Sequence, residues 1–231
     1  MGKKIASGPP VTPMSDETPL VHRAVRTGGV LLAVAAAQFV AVAVLVESRY
    51  PGFGLWTTSL TALGSSASPW GAAFNASLVV FGGLVVFGIL FAWSAFDARR
   101  SRGVGLFVLL VAAVAILCIG AFGLLRSSVP SNAVTWASYV GVGATGLGLV
   151  IVTFAMHRHE RWRVSRAYTF ATGVFVLAGS AVYATHLLAL SPGTVERVVV
   201  GVALLWAIVE GLHIALLHRF APGLQVKVAA A

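Results

Sequence analysis

Charge is what this sequence has least of. Only 10% of its 231 residues are Asp, Glu, Lys or Arg, against about 25% in an ordinary soluble domain. That shortage excludes a soluble globular fold, which needs polar side chains to face water. Cysteine is almost missing as well. Cys118 stands alone, so no intramolecular disulfide and no CxxC pair can form, and redox or thiolate-metal roles fall away. Lysine occurs only at Lys3, Lys4 and Lys227, outside every apolar run, which excludes a retinal-type Schiff base within a span. HExxH, GxSxG, a P-loop and a glycine-rich dinucleotide fingerprint are all absent from the sequence. The histidines within apolar runs, His186 and His213, fall at different depths and make a poor pair of haem ligands. No cofactor and no metal site is expected.

What is present is hydrocarbon. The chain is 58% hydrophobic with a mean hydropathy of +0.91. Six apolar runs cover residues 28–46, 73–95, 104–125, 134–155, 168–190 and 197–217. Each is long enough for roughly 30 Å of helix, the thickness of a bilayer core. The expected fold class is therefore all-α: a polytopic membrane protein, built as a six-helix up-down bundle. The connections DARRSRG, RSSVPSNA, HRHERWRVSR and SPGTVE are short, which forces successive helices to be antiparallel neighbours. The exception is a long loop between the first two helices, residues 47–72. The six-helix transmembrane domain is assigned to residues 28–218. Residues 1–27, polar, Pro-rich and without the apolar core of a signal peptide, read as a disordered N-terminal segment. Residues 219–231 read as a tail.

The basic residues are sorted by loop. Lys3, Lys4, Arg23, Arg26, Arg99, Arg100, Arg102, Arg158, Arg161, Arg163, Arg166, Arg219 and Lys227 fall on one side, and Arg49, Arg126 and Arg197 on the other. By the positive-inside pattern both termini lie in the cytoplasm and the long loop lies outside, in a multi-pass cell-membrane protein. The net charge of +9 is accounted for by this orientation, so no nucleic-acid partner is expected. Membrane lipids are, together with other membrane subunits as a second class of partner.

The long loop, YPGFGLWTTSLTALGSSASPWGAAFN, is unlike the rest. Tyr50, Phe53, Trp56 and Trp70 suit the headgroup level. Leu55, Trp56, Leu60 and Leu63 recur at roughly helical spacing, which predicts a short interfacial or re-entrant helix ended by Gly64. Backbone of that kind near membrane depth must be covered by protein or line a cavity. Two readings follow, an aromatic-anchored surface loop or a lid on the bundle.

Polar residues within the spans are few, and they are expensive in lipid. Glu210 and His213 lie three apart on one face of the sixth span, a possible intramembrane polar pair. They read as an internal hydrogen-bond pair, as a proton or cation relay, or as a metal or hydrolytic site, the last short of the three or more ligands a metal wants. Gln38 reads as an interhelix hydrogen bond. On the outer side, Trp56, Asn75, Arg126, His186, Glu196 and Arg197 form a candidate ligand-binding set. In that picture Arg126 and Arg197 meet an anionic headgroup while Glu196 holds Arg197. Asn75 and His186 supply hydrogen bonds, and Trp56 touches the apolar part. The bland alternative is a row of boundary residues in water. Small-residue stretches such as Gly141, Gly143, Gly146 and Gly148 read as close helix packing.

Three places resemble the DUF998 family of uncharacterised six-span integral membrane proteins. LTALGSSASPWGAAFNASLVVFGG carries Thr61, Leu63, Gly64, Pro69, Phe74, Asn75, Gly82 and Gly83 in the family's pattern. GAFGLLRSSVPSNAVTW lies at the outer end of the third span. SPGTVERVVVGVALLW supplies Gly193, Glu196, Arg197 and Trp206. The chain departs from the pattern at Phe122-Gly123, where members carry Phe-Pro, and at Trp136, where a histidine would stand. The resemblance covers most of residues 28–218 and implies the fold, with attention to the outer face; it implies no activity. Three functional readings stand: binding or transport of a lipid or small amphipathic molecule, an accessory subunit of a larger membrane complex, and an intramembrane enzyme.

Overall fold

The computed structural model describes residues 17–93, 96, 100–125, 131–156, 162–185 and 191–216. They hold six α-helices: α1 (Glu17–Ser48), α2 (Gly71–Ala92), α3 (Arg100–Leu125), α4 (Ser131–Thr153), α5 (Arg163–Thr185) and α6 (Pro192–Leu216). A single 3-10 turn, Leu60–Gly64, lies between α1 and α2. All six helices contain a span long and apolar enough to cross a membrane, which makes the chain a multi-pass membrane protein of the all-α class. Exposed Val44, Phe87, Phe107 and Leu205 show that the outward faces are as apolar as the buried ones. That is the pattern of helices whose surroundings are hydrocarbon rather than water.

All six helices begin earlier than their apolar runs, the first and the sixth by enough to matter. The first starts at Glu17, so residues 17–27 are helical. Val25 explains it: buried among Met156, Trp162 and Ile214, it gives this polar stretch a core contact. The sixth starts at Pro192. Proline suits a first helical position, where its missing N–H has no partner to lose, and Ser191 Oγ sits 2.8 Å from Thr194 Oγ1 across that first turn. Glu196 and Arg197 are thereby set inside the helix rather than ahead of it.

The helices form a ring. Each packs against its neighbours in sequence, and α6 closes on α1. Neighbours run antiparallel, as their contacts show. A Cβ on Gly28, early in α1, would stand 2.5 Å from Ala92 N at the end of α2. Gly29 meets Gly211 O, near the end of α6, at the same distance. Gly105 in α3 faces Val152 N in α4 at 2.7 Å. Early α5 joins late α6 through Ser165 and Glu210. Of the four glycines read as packing positions in α4, Gly146 and Gly148 leave no room for a methyl group. Gly141 and Gly143 would accept one, with their nearest neighbours at 3.6 and 3.9 Å. Gln38 Oε1 is buried without a hydrogen-bond partner among the described residues, so the interhelix bond read for it does not form through that atom.

Candidate functional site

The loop between α1 and α2 folds back as a cap on one end of the ring. Its turn Leu60–Gly64 buries Leu60 and Leu63 among Phe39, Val46, Phe74 and Leu204. Four sets of bonds hold it there. Glu196 Oε2 accepts the Leu60 N–H at 2.6 Å. Arg197 Nη1 donates to Thr58 O at 2.7 Å and to Gly193 O at 3.2 Å. Its Nε and Nη2 donate to Glu47 Oε1 at 3.2 and 2.8 Å, and the guanidinium lies 5.2 Å from the Phe53 ring centroid. The Trp56 carbonyl accepts from Ser191 Oγ and, at 3.1 Å, from Thr194 Oγ1. Asn75 Nδ2 donates to Gly64 O at 2.9 Å.

Two glycines make this contact possible. A Cβ on Gly193 would fall 2.5 Å from Thr58 O, so only glycine lets the cap backbone lie on the start of α6. Gly123 stands against the Asn75 amide, where no side chain would fit.

Beneath the cap lies a cavity of about 190 Å³. Leu60, Thr61 and Glu196 border it at the capped end, and Phe96 and Ile214 at the other. From Glu196 to Ile214 is roughly 27 Å along α6 at 1.5 Å per residue, so the space is a slender slot along the ring's axis. Its walls are mostly Leu, Val, Ile, Ala and Phe, with Trp206 midway and two residues of α4, Ser138 and Thr145, among them. A smaller space of about 20 Å³ adjoins it between α4, α5 and α6, where Ser138, Ser180, Tyr183 and Glu196 meet.

With that geometry in view, the sequence matches a family described as protein of unknown function, DUF998, over residues 33–213. The chain belongs to the DUF998 family. No curated protein and no solved structure matches it. In this DUF998 protein five of the motif positions quoted above seat the cap: Gly64, Asn75, Gly193, Glu196 and Arg197.

The candidate residues separate by their surroundings. Arg126 and His186 lie outside the described residues. Trp56 is exposed at its ring and engaged through its backbone carbonyl. Asn75 is buried and bonded to the cap. Arg197 is paired with Glu47, not with Glu196, because the start of α6 lies beside the end of α1 in the ring. Glu196 instead turns to the cap backbone and borders both cavities.

At the far end Glu210 is 2% exposed. It accepts a hydrogen bond from Ser165 Oγ at 2.6 Å, and His213 Nδ1 stands 3.5 Å from the same oxygen. The His213 ring stacks on Trp162 with centroids 5.3 Å apart. Here the carboxylate lies between serine and imidazole, whereas a hydrolytic triad needs the imidazole between the other two. Among the described residues no group of three or more His, Cys, Asp or Glu could hold a metal. Ser165 and Thr169, whose Oγ1 accepts the Trp206 indole N–H at 2.9 Å, escape the sequence reading. Their signal is the spacing i, i+4, i+7 of Ser165, Thr169 and Thr172 along one buried face of α5.

Proposed function

We propose that this protein binds a lipid-like amphipathic molecule, its hydrocarbon part in the slot and its polar part beneath the cap. The slot carries this reading. Protein interiors are close-packed, and apolar cavities of about 150 Å³ already take up benzene-sized guests. A slot of about 190 Å³ with one polar end has the shape and polarity of a single chain with a head. The described candidates then divide by role. Asn75 and Arg197 hold the cap, Glu196 faces the occupant, and Trp56 belongs to the rim.

The orientation follows the charge pattern: the cap faces outward, and both termini, residues 1–27 and 219–231, lie in the cytoplasm of a cell-membrane protein. Binding on that side takes the occupant from the outer leaflet, and transport is the extension of the same reading. Partner subunits would dock on the outward apolar faces.

Gentle extraction from the native membrane, then native mass spectrometry with lipidomics, tests the proposal. One amphiphile class should be retained by the wild type. It should be lost from Ala203→Phe, which places a ring in the slot, at an unchanged oligomeric state. Stoichiometric protein partners with no selective small molecule would replace the reading with that of an accessory subunit. A chemically altered lipid would instead favour an intramembrane enzyme.

A further inference from the structure

Resting on that reading, we infer that the bound molecule is a single-chain amphiphile whose head is a small hydrogen-bond donor without negative charge, an alcohol or an amine, seated between Glu196 and Tyr183.

Size comes first. The side space holds about 20 Å³, little more than the 10–15 Å³ or so that one water needs. A hydroxyl or an amino group fits it, and a phosphate with its oxygens does not.

Polarity points the same way. Among the described residues, no Lys, Arg or His lines either the slot or the side space. The nearest cation in sequence, Arg197, gives its hydrogen bonds to Glu47, Thr58 O and Gly193 O. Ser180 donates its proton to Leu177 O at 2.8 Å, which leaves only lone pairs for a guest. The Glu196 carboxylate accepts. Tyr183, its ring edge-on to Tyr139 at 5.5 Å, and Ser138, which lines both spaces, carry hydroxyls that can do either. An acceptor-rich recess asks for a donor, and an anionic head would face a carboxylate with no cation between them. Like charges brought together at close range are strongly disfavoured. On this inference the head is a neutral or cationic donor rather than the anionic headgroup expected from the sequence.

The test uses the full-length protein in nanodiscs and four amphiphiles of one chain length: dodecylamine, dodecanol, dodecanoate and dodecyl phosphate. Native mass spectrometry counts adducts, and only the part abolished by Ala203→Phe is scored. The amine and the alcohol should bind at least about tenfold more tightly than the two anions. Glu196→Gln, which keeps an acceptor for Leu60 N–H, should shrink that gap to under about threefold. Tyr183→Phe, which removes one hydroxyl, should weaken the alcohol while the protein's melting point is unchanged. Dodecanoate binding as tightly as dodecylamine, or a gap unmoved in Glu196→Gln, overturns the inference and leaves the slot reading standing. Failure of all four probes, together with an empty wild-type slot in the native extract, overturns both.

Discussion

Arg197 is the residue on which the cap depends. Its guanidinium joins three parts of the chain: α1 through Glu47, the cap through Thr58 O, and its own helix through Gly193 O. Both charged partners are largely shielded, with side chains 13% and 16% exposed. Removing one leaves the other uncompensated, which costs about 3 kcal/mol in such settings. Arg197→Ala should lower thermal stability in detergent by that order and open the cap to protease. Arg197→Lys keeps the charge without the planar fork and should fall between. A double-mutant cycle with Glu47→Ala should show strong coupling; additive losses would mean the pair contributes little. Asn75 offers a second residue-scale test. Asn75→Ala forfeits one buried hydrogen bond, about 1–2 kcal/mol. Asn75→Asp, which aims a carboxylate at Gly64 O, should cost more than alanine does. Equal stability of the two would remove the Asn75–Gly64 bond from the account.

At the scale of elements, glycines of one kind in sequence do different work. Gly211 faces the α1 backbone, where a Cβ would stand 2.6 Å from Gly29 O, while Gly201 on the same helix has nothing within 4 Å. Gly211→Leu should destabilise the α1–α6 contact by about 1–3 kcal/mol through overpacking, and Gly201→Leu should leave the melting point unchanged. A melting point lowered equally by both would mean the ring is not closed where we place it. The contrast also shows what was legible beforehand. The number of spans followed from apolar length, whereas the short helix expected from Leu55, Trp56, Leu60 and Leu63 is only the 3-10 turn Leu60–Gly64, with Leu55 and Trp56 left exposed. Which glycine in GGLVVFG packs inward did not follow: Gly82 meets Ala113 O at 2.7 Å and Gly83 meets nothing, because the helix is apolar on every side and carries no stripe to orient it. The candidate site was legible as a set of residues but not as a set of bonds. Glu196 and Arg197 are adjacent in sequence, yet successive helical positions point about 100° apart, so one meets the cap backbone and the other meets Glu47.

For the molecule as a whole, orientation is the property most directly measured. The native Cys118 is half-buried in α3 and can be changed to serine. A new cysteine at exposed Thr57 in the cap should then react with a membrane-impermeant maleimide in intact cells. One at exposed Arg100, at the other end of the bundle, should react only after the membrane is opened. The reverse pattern would invert the topology and put the slot's polar end towards the cytoplasm. The ring's connectivity also bears on synthesis. The strand of loop that becomes the cap leaves the ribosome right after α1, but Ser191, Gly193, Glu196 and Arg197 arrive with the last helix. Until then Glu47 has no guanidinium to meet and the slot lies open to lipid along its whole missing wall. Emergence of the last helix therefore completes the slot's wall and locks its cover in one step, late in the protein's making.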